Sequence, residues 1–98
     1  MRFRLLYLIV FLGGCVSNPP VEEYSIAEAA ISAAKEAGAP KYSPGFWHRS
    51  VSAYEEGENE FGDRNYNQAK ALFLRATHFS EKAEDAARLK RLKSGEVF

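Results

Sequence analysis

The chain is 98 residues long, with 13 basic and 13 acidic side chains, zero formal net charge and 46% hydrophobic residues. That balance excludes nucleic-acid binding driven by bulk charge and a disordered charged tail. It suits one small domain, whose limited core would gain from a partner or from self-association.

At the N-terminus, Met1-Arg2-Phe3-Arg4 is a short cationic segment, followed by Leu5 to Leu12 without a charge. That apolar run has the length of a signal-peptide hydrophobic region and falls well short of the ~20 residues a spanning helix needs. The next step, Leu12-Gly13-Gly14-Cys15, resembles the lipobox of bacterial lipoproteins, Leu-small-small-Cys. The resemblance implies a diacylglycerol thioether on Cys15, cleavage between Gly14 and Cys15, and an N-acyl lipid on the new amino group. Cys15 is the only cysteine, which leaves no disulfide or CxxC chemistry. Each buried CH₂ contributes ~0.8 kcal/mol, so two or more chains hold a protein on its membrane where one is marginal. Val16 and Ser17 lack the Asp that favours inner-membrane retention, so the resemblance points to the outer membrane, facing the periplasm. An ordinary secretory signal or an uncleaved anchor is the alternative.

Cleavage there leaves residues 15–98, with two more acidic than basic side chains. Residues 15–24 read as the lipidated cysteine and a tether. Pro19 and Pro20 favour extended polyproline at ~3.1 Å per residue, so the domain stands about 20 Å or less from the membrane. Residues 25–98 read as an all-α domain, a three-helix up-down-up bundle with a long C-terminal helix. The first helix, about 26–37, starts at Ser25 with Glu28 three residues on, a capping box, and stops at Gly38. The second, about 44–61, starts at Ser43 with Pro44 in the first helical position. The third, about 66–93, starts at Asn65 with Gln68 three on. No stretch alternates apolar and polar residues for long enough to compete as strand.

Spacing also predicts a register. The second helix places Trp47, Val51, Tyr54, Glu58 and Phe61 on one face, and the third places Tyr66, Ala69, Phe73, Ala76 and Ser80 on one face. An antiparallel hairpin pairs Phe61 with Tyr66, Tyr54 with Phe73, Val51 with Ala76, and Trp47 near Ser80, large against small; Glu58 fits poorly opposite Ala69, where Gly57 is the alternative for the close contact. Beyond Ser80 the third helix outlasts the second, and Ala83, Ala86, Ala87 and Leu89 form a thin apolar strip facing the Tyr42-Pro44-Phe46 loop. Arg88, Lys90, Arg91 and Lys93 make that end basic. Cations there complement the helix dipole, or else, with Trp47, they bind a partner.

Ile26 to Pro44, an Ala-rich helix joined through Ala37-Gly38-Ala39 and Tyr42-Ser43-Pro44 to two longer helices, is similar to an uncharacterised family of short bacterial lipoproteins. Where that family has Ala, Glu and Leu after the proline, Gly45-Phe46-Trp47 stands here. The resemblance implies fold and compartment, and the occurrence of some members with peptidoglycan-associated domains hints at envelope maintenance. Tyr66, Ala69, Phe73 and Ala76 also resemble the second helix of a tetratricopeptide unit. Only one such unit is present, so the resemblance implies a solitary hairpin and no array.

Chemistry has few candidates. His48 and His78 fall at one level of the hairpin, but two ligands are too few for a structural zinc site. The acidic run Glu55, Glu56, Glu58, Glu60 and Asp63 lacks the order of a calcium loop and reads as a solvated face. No Gly-x-Ser-x-Gly, phosphate loop or HExxH is present, so no catalytic residue is assigned. The expectation is a non-enzymatic envelope lipoprotein, without cofactor beyond the lipid on Cys15, that anchors in the bilayer and contacts an envelope protein. The alternative is a periplasmic binder of a peptidoglycan fragment or a metal, using the aromatic cluster at Trp47 and the histidines; a weaker third option is an enzyme accessory subunit.

Overall fold

The structure, a computed structural model, describes residues 18–95. Among them are four helices and no strand: α1 Val21–Glu36, α2 Ala39–Tyr42, α3 Pro44–Gly62 and α4 Tyr66–Lys93. None is long and apolar enough to cross a membrane. Cys15 and Gly14, with the whole expected signal peptide, lie outside the described residues.

The helix ends follow the punctuation with three departures. First, α1 begins at Val21 and so takes in residues assigned above to the tether. Pro20 is its N-cap, and its carbonyl accepts the Tyr24 N–H at 3.0 Å. A proline has no N–H to orphan at a helix start, and Glu22 and Glu23 in the first turn complement the dipole. Ser25 is therefore exposed inside the helix and not its cap. Second, Gly38 (φ +88°) does end the first helix, but it also starts a single further turn, α2, its carbonyl accepting the Lys41 and Tyr42 N–H groups at 3.1 and 2.9 Å. Third, the capping residues Ser43 and Asn65 turn their side chains elsewhere: Ser43 Oγ donates to the Ala83 carbonyl at 2.6 Å, and Asn65 Nδ2 donates to Glu60 Oε2 at 2.7 Å. The α3–α4 turn closes instead as a Schellman motif. Arg64 holds a left-handed φ of 64°, and the Arg64 and Asn65 N–H groups donate to the Phe61 and Glu60 carbonyls at 3.1 and 2.8 Å.

The spine of the bundle is α4. Ala69, Phe73, Ala76, Ser80, Ala83 and Ala87 are its buried residues, spaced at coiled-coil intervals, and this continues the expected third-helix face to its end. Tyr24 of α1 meets Phe73 at 5.2 Å and Phe61 at 6.2 Å between ring centroids. At the other end of α1, the Ala37 carbonyl accepts a hydrogen bond from Arg91 Nη1 at 3.1 Å. So α1 runs parallel to α4 and α3 antiparallel to both, the up-down-up arrangement. The core falls into two clusters. Ala27, Ala53, Ala69, Phe73 and Ala76 are rimmed by Tyr24, Tyr54 and Phe61; Ala34, Ala37, Ala39, Ala83 and Ala87 are rimmed by Tyr42, Phe46 and Trp47. Between them lie two fully buried hydroxyls, Ser50 and Ser80. Ser50 Oγ donates to the Trp47 carbonyl at 2.8 Å, whereas Ser80 Oγ has no partner.

The second helix is rotated from the expected register. Ser50, Ala53 and Gly57 are its buried residues, and Glu58 is exposed, so the seam falls one position earlier, a turn of about 100°. Phe73 is the cause. A Cβ at position 57 would stand 2.6 Å from its Cε1, so the glycine admits the ring while Tyr54 and Phe61 move to the flanks. There they keep two expected pairs: Tyr54 with Phe73 at 5.9 Å and Phe61 with Tyr66 at 5.6 Å.

Candidate functional site

The end of the bundle remote from the α3–α4 turn gathers the features expected of a binding site. Gly38 turns the chain, α2 aims Tyr42 and Ser43 at α4, and the buried Ser43–Ala83 hydrogen bond ties this corner to the spine. Phe46 stands in the first turn of α3. The result is a hollow of about 420 Å³ lined by Tyr42, Ser43, Pro44, Gly45, Phe46, Arg49, Ala86 and Lys90. Arg49 and Lys90 are the cations in its lining; Lys82 Nζ lies 5.8 Å from the Phe46 ring and Lys41 Nζ 4.9 Å from the Tyr42 ring, while the Arg49 guanidinium stands 5.9 Å from the Phe79 ring, which lines the neighbouring hollow.

Only part of the expected cationic set belongs to this surface. Arg91 is engaged inside the fold, where it caps the C-terminus of α1 through Ala37. Arg88 Nη2 and Nε donate to Glu84 Oε2 at 2.9 and 3.2 Å. Lys90 lines the hollow, and Lys93 is exposed on the last turn of α4. Trp47 is half-buried and packs on the second alanine cluster, outside the lining of the hollow. Arg49, Lys82 and Lys41 escaped sequence reasoning. The available signal was that Arg49 stands three residues after Phe46, on the same face of one helix.

A second hollow, about 380 Å³, lies beside the α3–α4 turn between Val21, Tyr24, Glu58, Phe61 and Gly62. Behind it, burial holds the Tyr54 hydroxyl well above the usual tyrosine range, with a Tyr24 hydrogen bond and the nearby Glu58 and Glu28 carboxylates adding to the shift. The acidic run occupies this end, exposed except for half-buried Glu60. His48 and His78 are both exposed, and among the described residues no group of three or more His, Cys, Asp or Glu could hold a metal ion.

Residues 22–95 match the family described as a domain of unknown function (DUF4398), and the chain belongs to that family. No curated protein and no solved structure matches the chain.

Proposed function

We propose that this member of the DUF4398 family is a lipid-anchored envelope protein that acts as a non-enzymatic interaction module, with Cys15 as its anchor and a protein partner at the far end of the bundle. The observation that carries the anchor is Leu12-Gly13-Gly14-Cys15 after a cationic start and a short apolar run. What supports the module is polarity. The start of α1, which follows the tether, lies beside the α3–α4 turn, so the aromatic and cationic hollow at Phe46 and Lys90 is at the opposite end, presented away from the anchoring surface. The outer membrane is the proposed address, from the lack of Asp at Val16.

Two experiments test this reading. Palmitate labelling of cells should mark the wild-type chain and leave Cys15→Ala unlabelled; a labelled Cys15→Ala chain sinks the anchor. Photo-crosslinkers placed at positions 46 and 90 in cells should recover one defined envelope protein, and recovery of none sinks the module.

A further inference from the structure

The two ends of the bundle differ in charge. Glu55, Glu56, Glu58, Glu60 and Asp63 cluster towards the α3–α4 turn, whereas the hollow at the other end has Arg49 and Lys90 in its wall and no carboxylate. Lys82, over the Phe46 ring, adds a third cation to the rim. The rest of the lining is mainly apolar: Tyr42, Pro44, Phe46 and Ala86. The Ser43–Ala83 hydrogen bond holds the corner in place, so the site is formed before anything binds and little ordering is needed on association.

Shape and charge together select the occupant. A flat lipid surface takes protruding apolar side chains, and here the Tyr42 and Phe46 rings are half-buried in the lining of a shallow hollow. A rigid anion without an apolar part would leave the aromatic lining in water. We propose that this hollow binds an acidic peptide segment, seating one aromatic or large aliphatic residue on Tyr42 and Phe46 while flanking carboxylates face Arg49, Lys82 and Lys90. This rests on the interaction-module reading and not on the lipid anchor. It moves the binding surface away from the α4 tail, since Arg88 and Arg91 already serve Glu84 and Ala37.

The test uses the full chain in a non-ionic detergent and a fluorescein-labelled peptide, Asp-Glu-Asp-Phe-Glu-Asp-Glu. Trp47 is the only tryptophan and rims the same cluster as Phe46 and Tyr42, so its emission provides a second, local readout. Saturable binding that weakens with salt and shifts Trp47 emission is expected. Arg49→Glu/Lys90→Glu should weaken it about tenfold or more, the scale of a lost set of charge contacts, with the thermal melt unchanged; Lys93→Glu should leave it intact. Should the double variant melt early, Lys90→Glu alone carries the comparison. The proposal is overturned by no binding, or by equal binding of the Phe→Ala peptide. It is equally overturned by loss on Lys93→Glu alone, by preference for phosphatidylglycerol vesicles, or by self-association as the only association seen. A crosslinked cellular partner without peptide binding sinks the acidic-peptide proposal and leaves the module standing. Peptide binding without a cellular partner sinks the module.

Discussion

Replacing Gly57 with alanine sets two effects of opposite sign against each other. In an exposed helix interior Gly→Ala stabilises by about 1 kcal/mol, because alanine loses less backbone entropy. Gly57 is buried in α3, and the new Cβ would lie 2.6, 2.8 and 3.2 Å from Cε1, Cδ1 and Cζ of Phe73. Carbon atoms sit comfortably at ~3.5–4.0 Å, so the overlap is about 1 Å. The ring has nowhere to go: it is fully buried, with Tyr24, Tyr54 and Phe61 centroids 5.2, 5.9 and 6.4 Å away. Separating α3 from α4 would loosen the contacts of Ala53, Ala69 and Ala76. Overpacking of this kind costs about 1–3 kcal/mol, which against the propensity gain of about 1 kcal/mol leaves an expected net loss of up to about 2 kcal/mol. For a domain of this size, each kcal/mol lowers Tm by about 4–8 °C. Gly45 and Gly62 have no neighbour within 4 Å of a built Cβ, so alanine there should be neutral or stabilising. Urea denaturation followed by circular dichroism measures all three. If Gly57→Ala is as stable as Gly45→Ala, the close approach of α3 to the Phe73 ring is wrong. Shrinking the ring should relieve the clash, so Gly57→Ala/Phe73→Leu should be more stable than the two single losses summed would allow.

Other positions give simpler expectations. Ser80→Ala removes a buried hydroxyl without a partner and should stabilise by about 1 kcal/mol; a loss in urea denaturation would mean that the hydroxyl is bonded. Arg64→Gly relieves a left-handed residue in the α3–α4 turn and should stabilise by up to ~1 kcal/mol, read as a higher Tm, whereas Arg64→Val should lower it. Tyr54 titrates above its unfolded value of about 10. Its contribution is thus complete below pH ~10 and is lost as pH rises through that value towards the folded one, because the unfolded chain gives up the proton first. Stability measured from pH 9 upward should fall, and Tyr54→Phe should flatten that fall; an unchanged profile would place the hydroxyl in water.

Residue order alone determined the local features: α-helix throughout the described domain, the break at Gly38, the starts at Pro44 and Tyr66, and the buried face of α4 through Ala69, Phe73, Ala76 and Ser80. These depend on backbone preferences and on a 3.6-residue repeat, both of which are written within a few neighbouring positions. What the chain could not show by itself was the rotation of α3 about its own axis. Aromatics on one face and Ser50, Ala53 and Gly57 on the next both look buriable, and only the bulk of Phe73, arriving from another helix, chooses the small face. The same holds for the basic end. Arg88, Lys90, Arg91 and Lys93 are equivalent as charges in a row. Tertiary structure alone assigns Arg91 to the Ala37 carbonyl and brings Lys90 of α4 together with Arg49 and Phe46 of α3, whereas the Arg88–Glu84 pair joins neighbours four residues apart on one helix. A long side chain reaches whichever partner the packing of other helices brings near it, and that packing is not encoded next to it in the chain.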